Sequence, residues 1–227
     1  MIFVTGDTHI PRDIEKLNFV NYKNLTKDDY VIICGDFGAI WDNSKQELYY
    51  REWLQNKPWT TLFIDGNHEN FDLLYKFPVE DKFGGKVHKI NDSIYHLMRG
   101  QVFNVNDIKF FTMGGATSTD HQNRIKNISW WKEEIPNNIE MTEGLDNLRK
   151  HNNEVDYILT HTCSSLVLKD ITKIFGFQPK PEENLNKYLQ IIEEKVKFKH
   201  WHFRHFHEDI EIDQKHTLLF EKIIKIQ

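Results

Sequence analysis

Residues 2–9 read Ile2-Phe3-Val4-Thr5-Gly6-Asp7-Thr8-His9, a short apolar run that passes directly into polar side chains. The run is too short for a helix and is rich in β-branched and aromatic residues, which predicts a buried strand over residues 2–5. Asp7 and His9 stand two residues apart on extended backbone, so their side chains are expected to point to the same side.

The same arrangement recurs twice in the first third of the chain. An apolar run over residues 30–34 ends in Gly35-Asp36, and another over residues 60–64 ends in Asp65-Gly66-Asn67-His68. Helices are predicted between these strands over residues 13–24 and 44–56, the second with Leu48, Trp53 and Leu54 as its buried side. Continuous apolar strands that alternate with helices are typical of a buried α/β sheet.

The middle of the chain is richer in β-structure. Short β-rich pieces over residues 86–90, 93–99, 101–106 and 108–113 are separated by Gly or Asn-Asp turns, and we expect them to form a second sheet. Residues 114–138 have little periodicity and are predicted to be a long surface loop, a kind of segment that is usually functional.

The last third returns to alternating helices and strands. We expect, in chain order, helix 140–151, strand 157–160, helix 182–195, strand 200–203 and a tail hairpin over 208–226 that turns near residues 213–215. The first of these strands ends at His161 and the second at His205-Phe206-His207. We find no repeat and no linker, so we predict a single domain over residues 1–227.

Composition narrows the function classes. The net charge is −5 and no basic stripe is visible, which disfavours general nucleic-acid binding but leaves room for a small anionic substrate. There is no run of about 18 apolar residues, so no membrane span is expected. Without a signal-peptide pattern, and with Cys34 and Cys163 as the only cysteines, a cytoplasmic location is predicted.

Five predicted strands therefore end in side chains that can bind a metal. In α/β sheets, sites form in the crevice beyond the carboxyl ends of the strands, so we expect these side chains to converge. The candidate ligands are Asp7, His9, Asp36, Asn67, His161, His205 and His207. Carboxylate, amide and imidazole donors favour Mn, Fe, Zn, Ni or Co. Asp36 has two oxygens and could bridge two cations, and such a pair acts as a clamp for displacement at phosphorus.

The ordered set Asp-x-His, Gly-Asp, Gly-Asn-His, His and His-x-His resembles the calcineurin-like metallophosphoesterase superfamily, and the resemblance extends from Asp7 to His207. It implies an α/β fold of four layers (α/β/β/α), in which two packed mixed β-sheets are flanked by helices. It also implies a hydrolase that uses two divalent metal ions, with Mn²⁺ as the first choice and Fe, Zn, Ni or Co as alternatives.

The resemblance also implies a role for each residue. One metal would be bound by Asp7, His9 and His207, and the other by Asn67, His161 and His205, with Asp36 shared. His68 would not be a ligand; it would act as the general acid that protonates the leaving oxygen. A hydroxide bridging the two metals would attack phosphorus in line.

The chain departs from the superfamily at a few positions. Arg204 stands where Gly often precedes the final His-x-His, and it could be a substrate contact, a partner for a carboxylate near the site, or a surface variant. Ile10 stands where Gly often follows the first motif. The Asp-Arg pair that follows Gly-Asp in the protein phosphatases of the superfamily is missing after Asp36, which disfavours that activity.

The substrate is therefore predicted to be a small phosphorylated molecule, with nucleotides as the suggested class. Arg124 and Arg12 are candidates for phosphate contacts, and Trp130 or Trp131 could stack on a base. Glu69 could orient His68 or could lie in solvent. The alternatives are a nuclease with the same dimetal centre, or a metal-binding scaffold without turnover.

Overall fold

Two mixed β-sheets form the framework of the protein. The computed structural model describes residues 1–19, 23–118, 120–176 and 182–226. Within these ranges, one sheet has seven strands and the other has six, and helices accompany both. The fold class is therefore α/β, as the sequence predicts.

The first sheet is built around three parallel neighbours: β1 (Ile2–Thr5), β2 (Tyr30–Cys34) and β3 (Thr60–Ile64). The remaining strands of this sheet are β4 (Val79–Lys82), β5 (Gly85–Asn91), β6 (Ile94–Leu97) and β13 (Ile223–Lys225). The strand order is β13-β1-β2-β3-β6-β5-β4, with β6 parallel to β3 and β13 antiparallel to β1.

The second sheet has the order β11-β12-β10-β9-β8-β7. Its strands are β7 (Gln101–Val105), β8 (Ile108–Met113), β9 (Tyr157–Thr160), β10 (His200–Phe203), β11 (Ile210–Glu211) and β12 (His216–Leu218). β8, β9, β10 and β12 run parallel to one another, whereas the edge strands β7 and β11 pair antiparallel with β8 and β12.

The helices cover the outer faces of the sheets. The α-helices are α1 (Lys45–Gln55), α2 (Phe71–Leu74), α3 (Asn138–Lys150), α4 (Ser165–Phe175) and α5 (Glu183–Lys195), and 3-10 turns occupy Asp13–Phe19, His121–Asn123 and Lys132–Glu134. Side-chain caps fix several helix starts; for example, the Ser44 side chain accepts the Glu47 N–H at the start of α1. Among the described helices, none is long and apolar enough to cross a membrane.

Three apolar clusters separate four layers. Side chains alternate along β2, so Val31 and Ile33 pack under α1 and α2 while Ile32 and Cys34 face the other sheet. The cluster between the sheets also contains Phe110 of the second sheet. A third cluster lies between the second sheet and α3, α4 and α5. The layers therefore follow the order α/β/β/α.

Strand positions are predicted well, but two pairings are wrong. The pieces over 86–90 and 93–99 form strands, but β5 and β6 join the first sheet beside β3 instead of the second. The tail does form the hairpin of β11 and β12, yet β13 then crosses to β1. An apolar pattern shows which strands are buried, but it does not specify a partner strand, so both errors have the same origin.

The helix predictions need smaller corrections. The helix predicted over 13–24 is a 3-10 helix over Asp13–Phe19, and residues 20–22 of that prediction lie outside the described residues. Leu48 is 53% exposed instead of buried, and the buried side of α1 is formed by Glu47 and Leu54. The helix α4 and the short helix α2 are not predicted from the sequence.

Candidate metal centre

Five strand ends meet at one edge of the two sheets. β1, β2 and β3 are parallel neighbours, so Asp7, Asp36 and Asn67 leave the first sheet on the same side. β9 and β10 are parallel neighbours in the second sheet and are followed by His161 and His205. Oδ1 of Asn67 lies 3.1 Å from His161 Nε2 and 3.0 Å from His205 Nδ1, so residues of both sheets contact one another here.

Asp36 lies in the middle of this cluster. Its Oδ2 lies 3.3 Å from His9 Nε2 and 3.5 Å from His161 Nε2, while its Oδ1 accepts the backbone N–H of His68 at 2.7 Å. Potential ligand atoms of His9, Asp36 and His68 lie within 4.8 Å of one another, and so do those of Asp7, Asp36 and His161. Asp36 is the residue that the two groups share.

Two glycines make this close approach sterically possible. A Cβ at Gly35 would lie 2.0 Å from His161 Nδ1, and a Cβ at Gly66 would lie 2.1 Å from Asp36 Oδ1. Gly35 also has a φ of 103°, in the region that favours glycine. The glycines of the Gly-Asp and Gly-Asn motifs therefore let the ring of His161 and the carboxylate of Asp36 approach the backbone.

Hydrogen bonds orient two of the imidazoles. Nδ1 of His161 lies 2.9 Å from the carbonyl oxygen of Cys34, so this nitrogen donates and Nε2 faces Asp36. Nδ1 of His9 lies 2.9 Å from Oδ2 of Asp13, which likewise leaves Nε2 directed at Asp36. This is how histidine ligands are usually supported in metal sites.

The final His-x-His segment leaves β10 on strained backbone. His205 has a φ of 82° and His207 a φ of 55°, and Asp36 has a φ of 45°. Residues other than glycine rarely adopt this region, and each instance costs about 1–3 kcal/mol unless the surroundings enforce it. His207 remains 59% exposed, with Nε2 3.9 Å from Asp7 Oδ2. Such strain clusters at functional sites.

The carboxylates of the cluster have opposite pKa shifts. Burial and the charge of Asp36 raise the pKa of Asp7 to about 6, against the opposing charge of Arg204. Burial alone would raise the pKa of Asp36, but the charge of His161 and hydrogen bonds from His161 and His9 outweigh it and hold this pKa well below its usual value. Asp36 therefore stays ionised to a lower pH than Asp7 does.

The imidazoles also fall into two groups. Burial, followed by the charge of His161, lowers the pKa of His205 to about 3, and burial and Arg204 lower that of His207 to about 4. Burial opposes protonation of His9 and His161, but Asp36 outweighs it and raises both pKa values to about 9. Without a cation, two of the four imidazoles are thus neutral and two are protonated at neutral pH.

His68 and Arg124 are in contact beside this cluster. Arg124 NH1 lies 3.2 Å from His68 Nδ1, and Arg124 NH2 lies 3.4 Å from His68 Nε2. Asp120 holds Nε of Arg124 at 2.6 Å, and the carbonyl of Ser129 accepts from NH1 at 3.1 Å. Burial, with Arg124 and two neighbouring histidines, lowers the pKa of His68 against the pull of Asp36. The predicted acid and the predicted phosphate-binding arginine therefore occupy one place.

A cavity of about 400 Å³ opens beside these two side chains. It is lined by His9, Ile10, Gly38, Trp41, Asp42, Ser44, Gln46, Glu47, His68 and Arg124. Arg12, the other predicted phosphate contact, is exposed and lines a different cavity with Glu15, Lys16, Glu221 and Ile223. The structure therefore brings Arg124 to His68 and separates Arg12 from them.

The tryptophans of the 114–138 segment do not line this cavity. Trp131 is only 2% exposed and its Nε1 donates to Asp72 at 2.9 Å, while Trp130 packs against His121 with ring centroids 4.0 Å apart. The aromatic side chain at the cavity is Trp41, whose ring meets Trp131 edge-on at 5.3 Å. The structure therefore places Trp41 at this cavity and Trp130 and Trp131 away from it, and no periodicity distinguishes Trp41 in the sequence.

Three further residues have roles that the sequence did not specify. Glu69 is buried and accepts the Phe37 N–H at 2.8 Å, so the solvent-exposed one of the two alternatives for this residue does not hold. Asp13, whose carboxylate contacts His9, stands four residues after it, and this spacing is the sequence feature that could have identified it. Glu182 has its Oε1 3.4 Å from His205 Nε2. No sequence pattern predicts this contact, because only the tertiary structure brings the start of α5 to the site.

A family model of calcineurin-like phosphoesterases matches residues 1–165, which include four of the five converging strand ends. His205 and His207 lie beyond that match, and the tertiary structure brings His205 to Asn67. A comparison with curated proteins gives no match. The match covers most of the chain and agrees with the two-sheet fold. The chain therefore belongs to the calcineurin-like phosphoesterase family and is a metal-dependent phosphoesterase.

Proposed function

We propose that the chain hydrolyses the phosphate ester of a small molecule, with nucleotides as the substrate class. The main support for the proposal is that His68 and Arg124 contact each other and both line a cavity of about 400 Å³ beside Asp36. A cavity of this size is typical of small-ligand sites.

The proposed metal centre uses the seven predicted ligands. One divalent cation would be held by Asp7, His9 and His207 and the other by Asn67, His161 and His205, and Asp36 would be available to both. The donors fit divalent cations, because Asp7 Oδ1 is buried without a hydrogen-bond partner among the described residues and Asp36 contacts two imidazoles. Oxygen and nitrogen donors suit Mn²⁺, our first choice. When bound, the two cations would neutralise phosphoryl charge and lower the pKa of water.

His68 is proposed as the general acid. Its backbone N–H is fixed by Asp36, so its imidazole is positioned relative to the centre by the same carboxylate that the cations would share. The lowered pKa of His68 makes its proton easier to transfer to the leaving oxygen. Bound phosphate would add negative charge beside the ring and favour the protonated form.

Arg124 is proposed to bind the phosphate. Asp120 and the Ser129 carbonyl hold its guanidinium against His68, so little side-chain freedom remains to be lost on binding. A planar guanidinium can pair with two phosphoryl oxygens at once. Arg124 would therefore orient the ester so that its leaving oxygen faces His68.

The nucleotide assignment rests on the rest of the cavity wall. Trp41 offers an aromatic surface, and Glu47 fixes the segment by accepting the backbone N–H groups of Trp41, Asp42 and Asn43. Among the described residues that line this cavity, Arg124 is the only Lys or Arg. A nucleic-acid groove needs a track of such charges along the backbone, so a mononucleotide fits better than a polymer.

The test uses Mn²⁺-loaded protein with p-nitrophenyl phosphate, its bis-ester and a panel of nucleoside mono- and diesters. We expect Asp36→Asn and His68→Ala to lower kcat by about 100-fold or more, because each group acts at the reacting centre. Trp41→Leu should raise KM for nucleotides while leaving p-nitrophenyl phosphate within about twofold. Equal turnover by His68→Ala and the parent would refute the acid assignment, and an unchanged nucleotide KM in Trp41→Leu would refute the substrate class.

A further inference from the structure

A fully buried arginine lies directly behind the proposed metal centre. Arg204 precedes His205, has no solvent exposure, and places NH2 2.6 Å from Oδ2 of Asp7, which is also fully buried. An arginine side chain stays charged in proteins, so this position holds a permanent positive charge. Arg204 is therefore neither a surface variant nor a residue of the substrate cavity.

The surroundings are built to hold this guanidinium. A Cβ at Gly6 would lie 2.9 Å from Cδ of Arg204, so the glycine before Asp7 leaves the space through which the side chain passes. Cζ of Arg204 stacks 4.1 Å from the ring centroid of Phe220, and the backbone N–H of Arg204 donates to the backbone carbonyl oxygen of His161 at 2.9 Å. The side chain is therefore closely packed, while Nε, NH1 and NH2 have no hydrogen-bond partner among the described residues.

The two proposed cation sites consequently have charged neighbours of opposite sign. Behind Asp7 lie Arg204 and Lys16, whose ammonium donates to the Asp7 carbonyl oxygen and to that of Phe220 at 2.6 Å. Asp13 beside His9 offsets part of that positive charge, but it is only partly buried. Behind His205 lies the carboxylate of Glu182, which is 2% exposed.

We propose that Arg204 makes the two cation sites unequal, so that the Asn67, His161 and His205 site fills first and the Asp7 site binds weakly. The inference rests on the ligand assignment of the proposed function. A cation on Asp7 would lie beside a guanidinium that contacts Oδ2 of the same carboxylate and that water does not screen, and like charges at short range in a buried place repel strongly. Glu182 acts in the opposite direction at the other site.

The test is a titration of metal-free full-length protein with Mn²⁺ by calorimetry, with metal content as a check. We expect two classes of affinity that differ by about tenfold or more, a size typical of residues that support metal ligands. Arg204→Met keeps length and apolar bulk but removes the charge, and it should tighten the weak site by about tenfold while the tight site stays within about twofold. Arg204→Lys should keep the difference, and Arg149→Met, at an exposed arginine, should change neither affinity.

A second readout uses the unmodified protein. At one equivalent of Mn²⁺, electron paramagnetic resonance should show isolated Mn²⁺, and the exchange-coupled pair should appear only with excess metal. A coupled pair already present at one equivalent, or Arg204→Met affinities equal to those of the parent, would overturn the inference and leave the proposed function standing. Binding of no Mn²⁺ by the parent would instead overturn the proposed function.

Discussion

The buried ion pair of Asp65 and Arg99 supports the segment that carries Asn67 and His68. Oδ2 of Asp65 accepts Nε of Arg99 at 2.9 Å and NH2 at 2.6 Å, and Oδ1 lies 3.0 Å from His96 Nε2. All three side chains are at most 3% exposed. Asp65→Asn would therefore remove the buried carboxylate that binds two Arg99 nitrogens and leave the partly exposed Glu140, at 3.3 Å, as the remaining anionic partner of a buried charge.

Removing one partner of a buried ion pair costs about 3–5 kcal/mol in the free energy of unfolding, because the other charge remains buried. A chain of 227 residues loses about 2 °C in Tm per kcal/mol, so Asp65→Asn should lower Tm by about 6–10 °C. Asp92→Asn serves as the matched control, since Asp92 makes its ion pair with Lys89 at the exposed surface and should leave Tm unchanged.

The same pair predicts a dependence of stability on pH. Burial opposes ionisation of Asp65, but the charge of Arg99 and hydrogen bonds from His96 and Arg99 hold its pKa below the ordinary value of 3.8. Because folding lowers the pKa of Asp65, its ionised carboxylate stabilises the folded state. This contribution to the free energy of unfolding is complete above the pKa of the unfolded state and is lost as the pH falls below about 4. Urea unfolding should therefore show a gap between parent and Asp65→Asn that is constant from pH 7 to 5 and shrinks below pH 4. A gap under about 1 kcal/mol at pH 7 would refute this reasoning.

Three further predictions concern the site. Arg124→Met should raise KM for phosphate esters by about tenfold or more while Mn²⁺ affinity measured by calorimetry stays unchanged, because Arg124 contacts His68 and none of the proposed ligands; a loss of Mn²⁺ affinity would contradict this. Gly35→Ala should weaken Mn²⁺ binding by about tenfold or more, because the added Cβ would lie 2.0 Å from His161 Nδ1. Gly84→Ala is the control for replacing a glycine at positive φ, because its Cβ would contact only the Val102 carbonyl oxygen, at 3.9 Å. Saturating Mn²⁺ at about 100 times its Kd should stabilise the chain by about 2.7 kcal/mol, and a chelator should reverse the shift in Tm; a Tm that is indifferent to both would argue against a metal centre at this position.

Much of the fold could be predicted because burial leaves a local pattern. The strands β1, β2 and β3 were placed from continuous apolar runs, each of which ends where a polar motif begins. Strand partners are harder to predict: β5 and β6 join the first sheet instead of the second, and β13 pairs with β1 outside the predicted tail hairpin. Pairing is a contact between residues distant in sequence, and the side-chain pattern does not encode it.

The candidate site also has one part that the sequence predicts and another that only the tertiary structure specifies. The sequence alone determined the residue types that end five strands, and parallel strands must deliver such residues to one edge, so Asp36, Asn67 and His161 could be expected to meet before any coordinates were known. Only the tertiary structure decided what stands behind them: Arg204 against Asp7, Glu182 against His205, and Arg124 over His68. These contacts join elements far apart along the chain, and their charges act through space in a place that water does not screen.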